Sequence, residues 1–250
     1  MYVPDIMNGF IDYYASLVQP SLGMVTFLTN EIGNLSSAHI LDAACGGGEL
    51  AHALAVSGSV VTAVESEQAL LLKAKAYSLR DKVPRALQFL PAPLLKLPGT
   101  PGSYHVLLCL NNASSVLQDE EEYQEFFKQA ATLLNKGGRL VMQLFNYDML
   151  LDYKVRELPE LVNEKEGIRL QRRLRICNDG HLAMDTTLSL MRIDAKELAR
   201  QEIIIYPIRR LQIQKMLQDA GFVVIDFYGG VEGTTWQEDS PSTLFLAIRG

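Results

Sequence analysis

The chain has 250 residues, 48% hydrophobic and 21% charged, with a formal net charge of −6. That size and composition fit one globular α/β unit carrying an insertion, and the negative charge offers phosphate backbones no global attraction, so no nucleic-acid partner is expected. The longest apolar runs, such as Val60–Val64 and Val106–Leu110, are strand-sized, far short of the ~20 residues that span a bilayer, and the Pro4-Asp5 start lacks the basic region of a signal peptide.

From residue 38 onward, β-rich apolar runs alternate with helical patterns. His39–Ala44 reads as a strand running into Cys45-Gly-Gly-Gly48, and Glu49–Ser57 has helical periodicity. Val60–Glu65 is a second strand, Gln68–Leu79 a helix, Leu87–Leu90 a third strand and Tyr104–Leu110 a fourth. Asp119-Glu-Glu-Glu122 opens a helix, with negative charge at its positive end, that is expected to reach Leu134 and stop at Asn135-Lys-Gly-Gly138. Arg139–Phe145 is a fifth strand. Residues 1–37 look mostly helical, with Phe10, Ile11, Tyr14, Leu17 and Val18 at helical spacing, and form an N-terminal helical cap. In residues 149–207 the strand-like runs Arg169–Ile176, Leu182–Ile193 and Glu202–Pro207 suit an antiparallel insertion covering a substrate pocket, its first two strands joined at Asn178-Asp-Gly180. The basic run Arg169, Arg172, Arg173 and Arg175 alternates with apolar residues as the polar face of a strand does. A helix at Arg210–Ala220 and two closing strands, Phe222–Tyr228 and Ser242–Ile248, complete the pattern. The fold expected is a Rossmann-like, doubly wound, seven-stranded α/β sheet ending in a reversed hairpin, built from 38–148 and 208–250.

Ile40-Leu-Asp-Ala-Ala-Cys-Gly-Gly-Gly48 is a strand ending in a glycine-rich turn that opens a helix, where backbone can approach a ligand and unpaired N–H groups face it. Glu65, about 20 residues on at the end of the second strand, can accept both hydroxyls of a ribose. A nucleoside cofactor follows from that pairing. A P-loop is excluded because no Lys-Ser or Lys-Thr follows the glycines. Cys45, Cys109 and Cys177 have neither CxxC nor metal-ligand spacing, so no metal and a reducing, cytoplasmic location are expected.

The stretch Ile40–Gly48 with Glu65 resembles motifs I and II of class I S-adenosylmethionine-dependent methyltransferases, and Asn135-Lys-Gly-Gly138 and Leu217-Gln-Asp-Ala-Gly-Phe222 also fit that family. The resemblance implies S-adenosylmethionine as cofactor, S-adenosylhomocysteine as product and a small-molecule methyl acceptor. It places Asp42, Ala44, Cys45, Gly46 and Gly48 around the methionine part, Glu65 on the ribose, Ser66 near the adenine, and Leu110 and Asn111 beside the cofactor. Pro93 stands where the family usually has an acidic residue, which leaves adenine to apolar contacts and the backbone of Ala92 or Leu94. Leu108-Cys-Leu-Asn-Asn-Ala-Ser114 and Gln143-Leu-Phe-Asn-Tyr-Asp148 are similar to signatures of the glycine N-methyltransferase-like branch and imply acceptor contacts at Asn112, Asn146 and Tyr147. Phe145 replaces that branch's arginine, so glycine itself is not the expected acceptor. For Asn146, Tyr147 and Asp148 a turn held by side-chain hydrogen bonds is the competing reading. Tyr14 is a further cofactor candidate, Tyr13 and Trp236 are acceptor candidates, and Tyr206 and Tyr228 could also line the pocket. The four histidines read as surface residues and no general base stands out. Rival readings are a non-catalytic S-adenosylmethionine-binding sensor and, against the charge, a nucleic-acid methyltransferase.

Overall fold

The alternation of apolar runs and helices folds into a seven-stranded sheet. The computed structural model describes residues 11, 13, 17, 22–79, 86–191 and 196–250. Strands β1 (His39–Ala43), β2 (Val60–Val64), β3 (Leu87–Leu90), β4 (Tyr104–Cys109) and β5 (Leu134–Phe145) pair in parallel. β10 (Phe222–Tyr228) and β11 (Ser242–Arg249) extend the sheet, and β11 runs antiparallel to both its neighbours, β5 and β10. The spatial order is β10-β11-β5-β4-β1-β2-β3. The chain therefore winds one way from β1 and the other way from β4, which makes the crevice at the carboxyl ends of these two strands the place where such sheets take ligands.

β1 and β2 are buried at four of five residues each, as strands covered on both faces must be. On one face α1 (Leu22–Ile32), α2 (Glu49–Val56) and α3 (Gln68–Ser78) pack in succession, and Met24, Phe27, Leu28 and Leu54 join Ile40, Val61, Val106 and Val141 in one core. α4 (Glu120–Leu133) and α6 (Arg210–Asp219) pack together, and the Phe127 ring of α4 meets Phe245 of β11 at 6.4 Å. Asp119 caps α4 by accepting the Glu122 N–H at 2.9 Å, an interaction of about 1 kcal/mol.

Several boundaries differ from those read in the sequence, among them the last strand of the insertion, which spans Glu197–Ile205 rather than Glu202–Pro207. α4 ends at Leu133 and Leu134 is already extended, because its backbone pairs with Tyr104 at the foot of β4 while its side chain is buried. Residues 135–138 then form an irregularity within β5 rather than a helix cap, and Gly137 takes the left-handed conformation there. The insertion contains four strands in the order β6-β7-β8-β9: Glu157–Asn163, Ile168–Ile176, Leu182–Leu190 and Glu197–Ile205. β6 escaped the sequence reading because Pro159 interrupts its pattern; it is an edge strand with a register shift, where proline is tolerated. One face of this sheet buries Ile168, Leu170, Leu188 and Ala199, together with Leu17. Arg169, Arg173 and Arg175 lie toward solvent and bond Ser189, Glu157 and Glu202.

By contacts the chain forms two compact units, one of Pro20–Met149 with Ile208–Gly250, the other of Leu150–Pro207 with the described residues before Gln19. Among the described residues no helix is long and apolar enough to cross a membrane. Of the expected cap at 1–37, the structure describes residues 22–37, with α1, and the helical positions Ile11, Tyr13 and Leu17; the rest lies outside the described residues.

Candidate functional site

The turn after β1 is built from left-handed backbone. Ala44 (φ 63°), Gly46 (φ 56°) and Gly48 (φ 81°) all have positive φ, and the Cys45 N–H donates to the Val64 carbonyl of β2 at 2.9 Å. Gly48 is there for packing as well as conformation: a Cβ would meet Ala74 at 2.8 Å and the Phe89 ring at 2.9 Å. Space above Gly46 is open, with nothing within 4 Å of a Cβ placed there. Gly48 also starts α2 without any side-chain cap, so the first-turn N–H groups remain for a ligand.

Two carboxyls meet beneath this turn. Glu65, 6% exposed, accepts the Gly46 N–H at 3.0 Å on one oxygen and the Glu67 N–H at 2.9 Å on the other. Each carboxylate oxygen has a second lone pair, so both can still accept a ribose hydroxyl. Asp42 is 3% exposed and its side chain bonds no described residue; burial, and after it the charge of Glu65, push its carboxyl up to about 7. Cys45 and Cys109 are also raised, first by burial and then by Asp42, the latter to about 12, so both stay thiols. A buried acid with no partner, beside a second carboxylate and an open glycine turn, fits a ligand carrying ribose hydroxyls and positive charge. S-adenosylmethionine, with a sulfonium and an ammonium, has both.

Beyond β3, Ala92 is half-buried, Pro93 is exposed and Leu94 is buried at the start of a 3-10 turn, Leu94–Lys96. Gln129 of α4 braces this segment, donating to the Leu94 carbonyl and accepting the Leu97 N–H, each at 2.7 Å. Sequence reading missed Gln129, since a lone helical Gln carries no signal until the loop it reaches is known. Ser66 is exposed at the end of β2, next to Glu65. Leu110 sends its side chain into the core, leaving its backbone as the part that faces the edge. Tyr14 lies outside the described residues.

At the ends of β4 and β5 the signature residues hold one another. Asn111 and Asn112 are consecutive left-handed residues, φ 53° and 60°, a strained arrangement that Asn tolerates better than most residues. Tyr147, 1% exposed, donates its hydroxyl to Asn112 Oδ1 at 2.8 Å, and burial holds its phenol well above the usual value. The hydroxyl that the sequence offered to an acceptor is engaged by Asn112. Asn146 is fully buried; its Nδ2 donates to the carbonyls of Glu238 and Ser240 at 3.0 Å each, with Gln237 at 3.5 Å, while its Oδ1 accepts the Met149 N–H. That amide holds the loop between β10 and β11 and, through Oδ1, the turn that the competing reading expects. Asp148 accepts from Arg209 and from the Arg210 N–H, tying down the start of α6.

The remaining aromatic candidates are engaged in packing. Tyr13 packs against the core of the insertion sheet. Trp236 donates to Thr243 at 3.0 Å and stacks on the Arg210 guanidinium, 4.7 Å from its ring centre. Tyr228 donates to Glu31 and meets Phe27 edge-on, and Tyr206 meets His181. His39 and His105 are exposed, whereas His52 is buried against Tyr77 because α2 turns that position toward α3.

Residues 40–138 match the family model described as a methyltransferase domain. The chain is 22% identical to a glycine/sarcosine N-methyltransferase of Aphanothece halophytica, across 98% of this chain and 90% of that protein. Its fold is similar to an S-adenosylmethionine-dependent methyltransferase from Clostridium acetobutylicum, with a TM-score of 0.80, 16% identity and coverage of 98% and 99% of the two chains. It is similar too to the CcbJ methyltransferase of Streptomyces caelestis, with a TM-score of 0.81, 16% identity and 96% of each chain covered. A switch-point crevice lined by a left-handed glycine turn and paired carboxyls, on a sheet like that of S-adenosylmethionine-dependent methyltransferases, leads to one conclusion: residues 40–138 of the chain are a methyltransferase domain, and its methyl donor is S-adenosylmethionine.

Proposed function

We propose that the enzyme methylates a nitrogen or oxygen of a small molecule, and that it works in the cytoplasm. The likeness to a glycine/sarcosine N-methyltransferase along nearly the whole chain, insertion included, carries this reading and favours nitrogen. The net charge of −6 disfavours nucleic acid as acceptor. Free thiols at Cys45, Cys109 and Cys177 suit a reducing compartment.

In this reading the turn from Asp42 through Ala44, Cys45, Gly46 and Gly48 surrounds the methionine part of the cofactor. Glu65 accepts the ribose hydroxyls, and Ser66, Ala92, Pro93 and Leu94 border the adenine. The backbone of Leu110 and Asn111 closes the crevice from the β4 side. The cofactor supplies a methyl group on a sulfonium, open to in-line displacement by a lone pair. What the protein adds is alignment and exclusion of water, and holding two reactants in attack geometry is worth roughly 7–11 kcal/mol in intramolecular systems. Tyr147 stays a neutral phenol whose hydroxyl is given to Asn112.

Turnover of S-adenosylmethionine against a panel of amino acids, amino sugars, amino alcohols and phenols, read as S-adenosylhomocysteine formed, tests the proposal. Methylation of at least one amine supports it. Tight cofactor binding with no turnover of any panel member points instead to a non-catalytic sensor.

A further inference from the structure

Three carboxylates converge on the glycine turn. A Cβ placed on Gly47 would meet both carboxylate oxygens of Glu49 at 2.6 Å, so this side chain lies folded back over the turn from the first position of α2. Asp42, 3% exposed, lies beneath the same turn, and Glu65 bonds the Gly46 N–H. The Cys45 thiol feels all three: after burial, the charges of Asp42, Glu65 and Glu49 each push it up. Glu65 accepts only backbone N–H groups, and among the described residues no Lys or Arg bonds any of the three. The first basic side chain of the sequence is Lys73, and residues 1–72 carry seven Asp and Glu against no Lys or Arg. An acid in the first turn of a helix is ordinary, because it offsets the positive end of the dipole. Here that acid shares a ligand turn with two others, and the summed field favours positive charge brought to the turn.

We infer that Glu49 is a specificity-determining residue of the cofactor site: it makes the site hold the cationic methyl donor more tightly than the uncharged product, and so limits product inhibition. The inference rests on the proposed placement of the methionine part at this turn. S-adenosylmethionine and S-adenosylhomocysteine share the adenosine, the ammonium and the carboxylate. They differ by one methyl group and one positive charge on sulfur. Unpaired negative charge at the turn acts on that difference, and the attraction is lost when the methyl group leaves and the sulfur becomes neutral. Sequence reading missed Glu49, since a lone acid at a helix start carries no signal until its side chain is seen over the turn.

The test titrates S-adenosylmethionine and S-adenosylhomocysteine separately into the full chain by calorimetry and takes the ratio of the two affinities. A merely structural Glu49 would weaken both ligands alike on substitution, which leaves the ratio unchanged. The wild type should bind S-adenosylmethionine more tightly at low salt, and the ratio should narrow at roughly 0.5 M salt as the charges are screened. Glu49→Gln keeps the shape and should cut the ratio about fivefold, the order expected of one unit charge acting across roughly 10 Å near a protein surface. Glu125→Gln, which removes an exposed acid of α4, should leave the ratio as it is. A wild type that holds the product as tightly as the donor, or a ratio that Glu49→Gln does not change, overturns the inference. Failure of the wild type to bind either ligand is a different result and sinks the cofactor placement itself.

Discussion

Asp42 and Glu65 sit in one buried edge, and no described basic side chain bonds either. For Asp42 the consequence is a carboxyl raised from its ordinary range to about 7, by burial first and Glu65 second. The linkage has a definite sign. A raised acid stabilises the folded state most below its unfolded value near 4, and that contribution is lost as pH rises through the folded value near 7. Asp42→Asn should therefore raise the melting temperature relative to wild type, with the gain growing from pH 4 to pH 7 and then levelling off. The same variant should bind S-adenosylmethionine more weakly at pH 8, since the cation loses its counter-charge. Thermal melts across that range check the first half and calorimetry the second; a stability difference that is flat with pH would show that Asp42 is not the raised group.

At the scale of elements, the site depends on contacts between segments far apart in sequence. Gly48 joins α2 to α3 and β3, and Gly48→Ala imposes a left-handed alanine and a contact of 2.8 Å with Ala74, at a cost on the order of 3 kcal/mol. Urea unfolding should show that loss, and an alanine variant as stable as wild type would contradict the packing. Asn146 joins the end of β5 to the loop before β11 through the carbonyls of Glu238 and Ser240. Asn146→Asp, the same shape with no donor, should destabilise more than Asn146→Ala, because a carboxylate oxygen would face those carbonyls. Hydrogen exchange over residues 236–241 should accelerate in both variants. The reverse order of stabilities would mean that the amide is not the pin.

Across the whole molecule, the parallel strands and the glycine turn were legible in sequence because they obey local rules: short apolar runs, left-handed glycines and a carboxylate about 20 residues on. β6 was not legible, since Pro159 breaks its pattern and only pairing with β7 makes it a strand. Nor could local pattern show that α4 stops at Leu133, a boundary set by Leu134 meeting Tyr104. Within the site, the glycine turn, Asp42 and Glu65 were each readable from motif, whereas the meeting of Asp42 and Glu65 as two buried carboxyls was not. The roles of Asn146, Tyr147 and Gln129 were not, because each is decided by partners that lie from 32 to 94 residues away. Signature residues can be recognised from type and spacing, whereas the choice between touching a ligand and holding a neighbour needs the tertiary structure.

In the proposed function the edge after β1 and β2 holds S-adenosylmethionine through Glu65 and the glycine turn. Calorimetric titration of S-adenosylhomocysteine into the wild-type protein and Glu65→Ala tests it most directly. The wild type should bind at one site per chain, and the variant should bind at least about 30-fold more weakly, as expected for loss of hydrogen bonds to a charged group, while keeping its circular dichroism spectrum. Equal affinity in the two proteins, or no binding to the wild type, would contradict it.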